Sequence, residues 1–390
     1  MISVSEALDT LLSLVSPVAI EMVPLRIAAG RVLAEPVTAQ RDQPPFAASA
    51  MDGYALKSAE VERDAMFKVI GKSAAGHGFQ GRVGAGQAVR IFTGAPVPEG
   101  ADFVVIQEDT SRTASLITIS DHPGSGNNIR PKGSDFQIGT TVDAPRVLSA
   151  ADIALLAAMN IAEVPVRIKP TVALISTGDE LVLPGDTPGP DQIIASNTFG
   201  LDAMLTAAGA RSRILPIAHD TVGSLRMALD LAADADLIVT IGGASVGDHD
   251  LVAQVTEDLG MSRAFYKVAM RPGKPLMAGK IGQSAMVGLP GNPVSAMVCG
   301  HIFLLPMLRA MQALPSEAQR PATAMLSHDL PENGPRTHYM RARLTGTDLS
   351  VFDDQDSARL TLLADANALA IRPPNDPPKT KGEHLSYIVL

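Results

Sequence analysis

Five short stretches of this 390-residue chain combine glycine or proline with charged or amide side chains, each following an apolar run. They are Thr177-Gly178-Asp179-Glu180, His219-Asp220, Gly242-Gly243-Ala244-Ser245-Val246-Gly247-Asp248-His249-Asp250, Arg271-Pro272-Gly273-Lys274-Pro275 and Gly288-Leu289-Pro290-Gly291-Asn292-Pro293. Glycine lets backbone N–H groups close on an anion, and the N-terminus of a following helix favours negative charge. The stretch 242–247 therefore suits a phosphate or pterin cradle. It lacks the Gly-Lys-Ser/Thr ending of a P-loop, which argues against a Walker-type nucleotidase. Carboxylates beside such a cradle (Glu180, Asp220, Asp248) would repel a phosphate unless a cation lay between. Mg²⁺ takes one or two carboxylates together with phosphate oxygens and water. Lys274 and, more weakly, Arg271 suit an oxyanion. Plainer roles account equally well for several of these residues. Asp220 and Asp248 stand where helix N-caps belong, Asn292-Pro293 is an ordinary helix start, and Lys274 and Arg271 fit solvated positions. Glu180 is followed by a Gly/Pro loop and is not explained as a cap.

Other chemistries lack their signatures. The eight histidines show no metal-site spacing. His219 and His249 are single residues in turns. Cys299 is the only cysteine, so neither an intrachain disulfide nor a cysteine zinc site is available.

From about residue 170 the pattern alternates. Strands over 172–176, 212–217, 237–241, 265–270 and 285–289 are expected, with helices over 196–208, 221–233, 249–259 and 293–311. Such alternation predicts a mostly parallel sheet covered by helices, with ligands beyond the strands' carboxyl ends. All five polar turns then fall on one edge. Upstream, 3–15 reads as an amphipathic helix. The apolar runs 67–70, 88–92, 103–106 and 116–119 between turn clusters read as a β-rich module. Ser149 with Asp152 opens another helix as a capping-box variant. Residues 321–390 read as a small β module with strands at 339–344, 360–363 and 385–389. The polar segments 44–55, 93–102 and 130–135 read as ordered loops. Met51, Met66 and the Met-rich stretch 297–311 read as core filler.

The length suggests two to four domains at roughly 100–200 residues each. With 32 basic and 41 acidic residues the net charge is −9, which argues against a general nucleic-acid or anionic-membrane partner. Hydrophobic residues make up 46%, which excludes a disordered chain, and 33 Gly with 29 Pro signal many sharp turns. No apolar run approaches the roughly 20 residues that span a bilayer, and the N-terminus lacks the basic and apolar regions of a signal peptide. A cytoplasmic location is expected.

The runs Ser49-Ala50-Met51-Asp52-Gly53-Tyr54-Ala55, Thr93-Gly94-Ala95-Pro96, Arg130-Pro131-Lys132-Gly133-Ser134-Asp135 and Thr177-Gly178-Asp179-Glu180-Leu181, with the three later glycine and proline turns, resemble the MoeA/gephyrin E-domain family. They occur in family order across nearly the whole chain. The resemblance implies insertion of molybdate into adenylylated molybdopterin with release of AMP, in the presence of Mg²⁺. It implies an elongated homodimer of four subdomains, with the β-rich insert of one protomer facing the α/β domain of the other, and transient contact with other molybdenum cofactor biosynthesis or acceptor enzymes. It places functional roles on Asp52, Thr93, Asp135, Glu180, Asp220, Asp250 and Lys274, with Glu180, Asp220 and Asp250 as Mg²⁺ ligands. Gly242, Gly243, Ser245, Gly247, Asp248, Arg271, Pro290, Asn292, Pro293, Ser357 and Thr361 would hold the pterin substrate. The implied fold is α/β multidomain. A parallel-sheet molybdopterin-binding domain (1–25 and 165–312) is joined by a connecting subdomain (26–43 and 140–164) to a β-rich insert (44–139), and a β-barrel-like domain (313–390) ends the chain. Near the C-terminus the family shows Gln-Gly-Ser-Gly and then a Ser-Ser pair. Here the stretch is Gln355-Asp356-Ser357-Ala358-Arg359-Leu360-Thr361-Leu362, in which Thr361 keeps a hydroxyl. A molybdopterin adenylyltransferase and a non-catalytic molybdopterin-binding scaffold are the rival readings. The first leaves the segments carrying Asp52 and Thr93 unexplained.

Overall fold

A computed structural model describes residues 1–120, 126–243, 251–316 and 321–390. The chain divides into two compact units. One comprises Met1–Glu21, Gly30–Ala34 and Arg167–Leu390, the other Met22–Ala29 and Glu35–Val166.

The first unit is built on a six-stranded sheet in the order Arg211–Ile214, Thr171–Ser176, Leu237–Ile241, Ser284–Leu289, Pro275–Ile281, Ser262–Lys267. The first four strands are parallel. Every residue of Leu237–Ile241 and Ser284–Leu289 is buried, as expected for strands covered on both faces. The strand Pro275–Ile281 is absent from the sequence expectation. Its entry carries turn residues, and its interior Gly279 weakens the strand signal. A Cβ at Gly279 would come 2.4 Å from the Ser262 carbonyl oxygen, so glycine is what lets the neighbouring strand close in. Pro275–Ile281 runs antiparallel to both neighbours. The two reversals turn Ser262–Lys267 back into the parallel direction, so the described residues that follow the five parallel strands leave the sheet at one edge.

Helices cover this sheet. Val4–Ser13 starts with a reciprocal capping box, in which Ser3 Oγ accepts from Glu6 N at 3.2 Å and Ser3 N donates to Glu6 Oε2 at 2.7 Å. The run Pro293–Met311 is long and apolar enough to cross a membrane, contrary to the sequence expectation. It is mostly buried, and Val294, Phe303, Met307 and Met311 pack in the main core with Leu8, Leu11, Val287 and Leu289. It is not one regular helix: a wide π-type turn, Gly300–Leu304, separates Pro293–Cys299 from Leu305–Met311.

Beyond residue 321 the strands Thr337–Thr345, Asp348–Val351, Ala322–Leu326, His384–Val389 and Ala368–Arg372 pair in a closed five-stranded barrel. The expected strand at 360–363 is instead part of a helix, Leu360–Asp365. Leu360 and Leu363 are three residues apart and so share a helical face. Leu363 packs against the main core.

The second unit contains a sheet in the order Phe103–Ile106, Gly53–Leu56, Gln87–Ile91, Met66–Ser73, Leu116–Ile119, Thr110–Thr113. Gly53–Leu56, which overlaps the end of the expected loop 44–55, is an interior strand with all four residues buried. A Cβ on Gly53 would lie 1.9 Å from the Val105 carbonyl oxygen, so no other residue fits the strand pairing there. The expected helix follows as Ala150–Ala158, capped by Ser149 and Asp152, whose carboxylate also pairs with Arg146 at 2.8 Å.

Candidate active site

In the second unit, antiparallel pairing sets Gly53 opposite Ile91. That register brings Asp52, just before one strand, beside Thr93, just after the other. Asp52 Oδ1 accepts from Thr93 N at 2.7 Å and from Thr93 Oγ1 at 2.8 Å. These two donors hold the Asp52 carboxyl below the usual aspartate range, with a smaller contribution from Arg90. Arg90 is itself fixed. It donates to the Gly53 carbonyl at 3.1 Å and to Gln107 Oε1 at 2.6 Å, and lies over the rings of Tyr54 and Phe92. Asp52 and Thr93 are thus one preformed, ionised unit rather than two loop residues. Asp135 is exposed on an adjoining segment. Ile129–Arg130 pairs with Ala48–Ser49, and Asp135 N donates to the Gln43 carbonyl at 2.9 Å.

In the first unit, a cavity of about 520 Å³ opens at the carboxyl edge of the sheet. Glu180, Gly242, Pro290, Asn292 and Pro293 line it; so do Thr177, Pro275 and Gly291, which lie in the polar turns singled out in the sequence, and Ser176 and Asn197, which do not. The turns are tied to one another. Thr177 N donates to the Ile241 carbonyl at 3.0 Å, Gly242 N to the Leu289 carbonyl at 3.1 Å, and Asn197 Nδ2 to the Gly291 carbonyl at 2.7 Å. Gly242 sits at φ +93°, and a Cβ there would stand 2.7 Å from the Thr177 carbonyl oxygen. The turn therefore requires glycine both conformationally and sterically.

Asn292 occupies the N-cap position of Pro293–Cys299, but its side chain does not cap the helix. Its Nδ2 donates to Ser357 Oγ at 3.0 Å, while Val294 N donates to the Ser357 carbonyl at 3.0 Å. Ser357 thus reaches the site through Asn292, and its neighbour Ala358 lines the cavity. Thr361 is exposed on the Leu360–Asp365 helix and does not line it.

Asp220 is not an N-cap. Thr221 fills that role, its side chain accepting from Ser224 N at 3.2 Å. Asp220 is exposed and does not line the cavity. Its backbone N–H donates to Asp179 Oδ1 at 3.2 Å, and the same oxygen lies 3.1 Å from His219 Nδ1. Asp179 has no assigned role in the sequence; only the tertiary approach of the two turns reveals this one. Lys274 is exposed beside Pro275, its carbonyl accepting from Val268 N at 3.1 Å. Gly243, at φ +66°, follows the cavity wall without lining it.

Arg271 departs from expectation. Met270–Arg271 pairs with the barrel strand, Arg271 opposite His338, and lines a different cavity of about 500 Å³ with His338, Asp354 and Arg372. His338 is buried there, and burial together with Arg271 and three further arginines pushes its pKa down to about 4. Ser245, Gly247, Asp248, His249 and Asp250 lie outside the described residues. Among those described, no three His, Cys, Asp or Glu side chains come together in a metal-holding group.

Three family models match in succession: the MoeA N-terminal region (domain I and II) over 2–160, a probable molybdopterin binding domain over 173–310, and the MoeA C-terminal region (domain IV) over 323–390. A molybdopterin molybdenumtransferase from Nostoc sp. is 37% identical over 369 residues, covering 90% of this chain and 85% of that protein. One from Bacillus subtilis is 34% identical, covering 90% and 86%. The crystal structure of a molybdopterin biosynthesis MoeA protein from Pyrococcus horikoshii OT3 superposes with a TM-score of 0.86 at 26% identity, covering 100% of both chains. With relatives this similar over nearly its whole length, the chain belongs to the MoeA family of molybdopterin molybdenumtransferases and is a transferase enzyme.

Proposed function

We propose that this enzyme inserts molybdate into adenylylated molybdopterin, releasing AMP, with Mg²⁺ required and a homodimer as the active form. The observation that carries the reading is the cavity walled by the Thr177, Gly242 and Pro290–Pro293 turns, with Glu180 on its rim. Backbone amides at glycine turns and a helix start suit phosphate oxygens and a tetrahedral dianion alike. Turns pinned to one another by hydrogen bonds lose little order on binding, so the chain acts mainly by positioning. Asp52, held ionised by Thr93, keeps a fixed negative charge that can orient water or a polar substrate group. Lys274, exposed beside Pro275, supplies positive charge.

The donor chemistry fits Mg²⁺. Glu180 presents hard carboxylate oxygens to the cavity, Asp220 stands on the adjoining turn, and Asp250 completes the proposed set from outside the described residues. When bound, the cation would neutralise phosphate charge and let carboxylates and phosphate share one site. The four-part domain division and the roles of Asp135, Ser357 and Thr361 belong to the same proposal, as do Ser245, Gly247 and Asp248 as pterin contacts.

The test is incubation of the protein with adenylylated molybdopterin, molybdate and Mg²⁺, following AMP. AMP release that needs all three additions and stops on chelation is expected. Release no faster than without protein would refute the reading.

A further inference from the structure

The parallel strands Thr171–Ser176 and Arg211–Ile214 keep pairing beyond their own ends. Ala218 N donates to the Ser176 carbonyl at 2.9 Å, and Gly178 N donates to the Ala218 carbonyl at 3.1 Å. The backbone ladder stops there, and the Asp179 side chain carries it one step further. Its Oδ1 accepts from Asp220 N at 3.2 Å, as a strand carbonyl would, and lies 3.1 Å from His219 Nδ1. A carboxylate accepting from a backbone N–H makes a stronger bond than a neutral acceptor. The other side of the turn is tied to the helix Val222–Ala232, since His219 N donates to Ser224 Oγ at 2.9 Å.

The same turn seats Glu180. A Cβ on Gly178 would fall 2.3 Å from Glu180 Oε2 and 2.7 Å from Oε1, so the Glu180 carboxylate rests on the bare glycine. That glycine is also the residue bonded to Ala218. Glu180 and the segment 218–220 are therefore both anchored to Gly178, and the bond from Asp179 fixes the Asp220 backbone that remains. Asp179 does not itself line the turn cavity, so it acts through its neighbours.

We infer that Asp179 is a positioning residue for the divalent cation: it holds the Asp220 turn at a set distance from Glu180. Mg²⁺ demands near-octahedral geometry with oxygens at about 2.0–2.1 Å, so a ligand that drifts is a ligand lost. Glu180 and Asp220 repel each other, and without the Asp179 bond the exposed Asp220 turn is free to move away. Hydrogen bonds that orient the ligating groups of a metal site are worth roughly 10–100-fold in affinity. This inference rests on the proposed cation reading and adds the residue that sets its geometry.

The test uses Mn²⁺, which takes the same oxygen ligands and is read by electron paramagnetic resonance, added to the full-length protein without substrate. Asp179→Ala removes the acceptor. Asp179→Asn removes the charge but keeps an oxygen that accepts from Asp220 N. Both alter an exposed side chain, so the melting temperature should hold. Asp179→Ala should bind Mn²⁺ about tenfold more weakly or worse, and amide hydrogen exchange over 218–222 should quicken about fivefold. Asp179→Asn should restore both to near the unaltered protein. Unchanged exchange or unchanged Mn²⁺ affinity in Asp179→Ala would overturn the inference. So would an Asp179→Asn protein as weak as Asp179→Ala, because the charge rather than the acceptor would then be what matters. The two readings fail separately. A protein that binds no Mn²⁺ in any form sinks the cation site itself, whereas Mn²⁺ bound equally well with and without the Asp179 acceptor sinks only the role of Asp179.

Discussion

Asp52 and Glu180 are both carboxylates in polar turns, but their surroundings differ. Asp52 is bonded through one oxygen to both donors of Thr93. Glu180 is exposed on the rim of the turn cavity. Replacing either with Ala should lower the rate of AMP release by about 100-fold or more, with little change in melting temperature. A purified variant with wild-type release would remove that residue from the mechanism. The Thr93 bonds also make a titration prediction. Because they depress the Asp52 pKa, their stabilisation is complete above the ordinary aspartate pKa of about 3.9 and is lost as pH falls through the lower folded value. Thr93→Val keeps the backbone donor but removes the hydroxyl. It should raise the Asp52 pKa toward the ordinary value, as read by carboxyl-carbon NMR, and an unchanged titration would contradict the assigned cause. His338 gives the matching case for a base. Its folded pKa of about 4 lies below the ordinary 6.5, so the neutral ring contributes stability that is full above 6.5 and lost as pH falls toward 4. His338→Gln should flatten stability over that window, removing a pH-dependent contribution of up to about 3 kcal/mol in denaturant melts; an unaltered slope would show that another group titrates there.

At the scale of elements, the interior strand Gly53–Leu56 shows why a motif can be visible while its geometry is not. Ser49–Ala55 stands out in the sequence by its turn-forming and polar residues, and these same residues mask a strand. What makes it one is contact with Phe103–Ile106 and Gln87–Ile91, both distant in sequence. Gly53→Ala should destabilise the second unit by roughly 2–4 kcal/mol, since a Cβ 1.9 Å from a carbonyl oxygen forces the backbone apart. It should also disturb Asp52 and Thr93. A fully stable, active Gly53→Ala protein would mean that the strands can separate locally without cost. The sheet of the first unit is easier to anticipate because its central strands Leu237–Ile241 and Ser284–Leu289 are short, mostly apolar runs buried throughout. The reversed strand Pro275–Ile281 escapes a sequence reading because its pairing partners, not its own pattern, define it. The helix Leu360–Asp365 passes for a strand because a four-residue apolar run fits either period.

The whole molecule is expected to self-associate. Sedimentation at micromolar concentration should show a species of twice the 40.7 kDa chain; a persistent 40.7 kDa species that nevertheless turns over substrate would overturn the homodimer as the active form. The net charge of −9 is compatible with the proposed anionic substrates, because the cavity is walled by glycine and proline turns whose backbone would meet them in place of a basic surface.

By itself the sequence determined the alternation of parallel strands and helices in the α/β region, the helix near the N-terminus, the capped helix at Ser149, the turns after the parallel strands, and the resemblance that names the family. These are local properties of backbone preference and side-chain period. Only the tertiary structure decided that Asp52 and Thr93 are one bonded unit, that Asp179 rather than a helix cap governs the Asp220 turn, that Ser357 reaches the site through Asn292, and that Arg271 turns to the barrel beside His338. Each of those outcomes depends on strand register or on the approach of segments distant in the chain, and neither is encoded in any one stretch of residues.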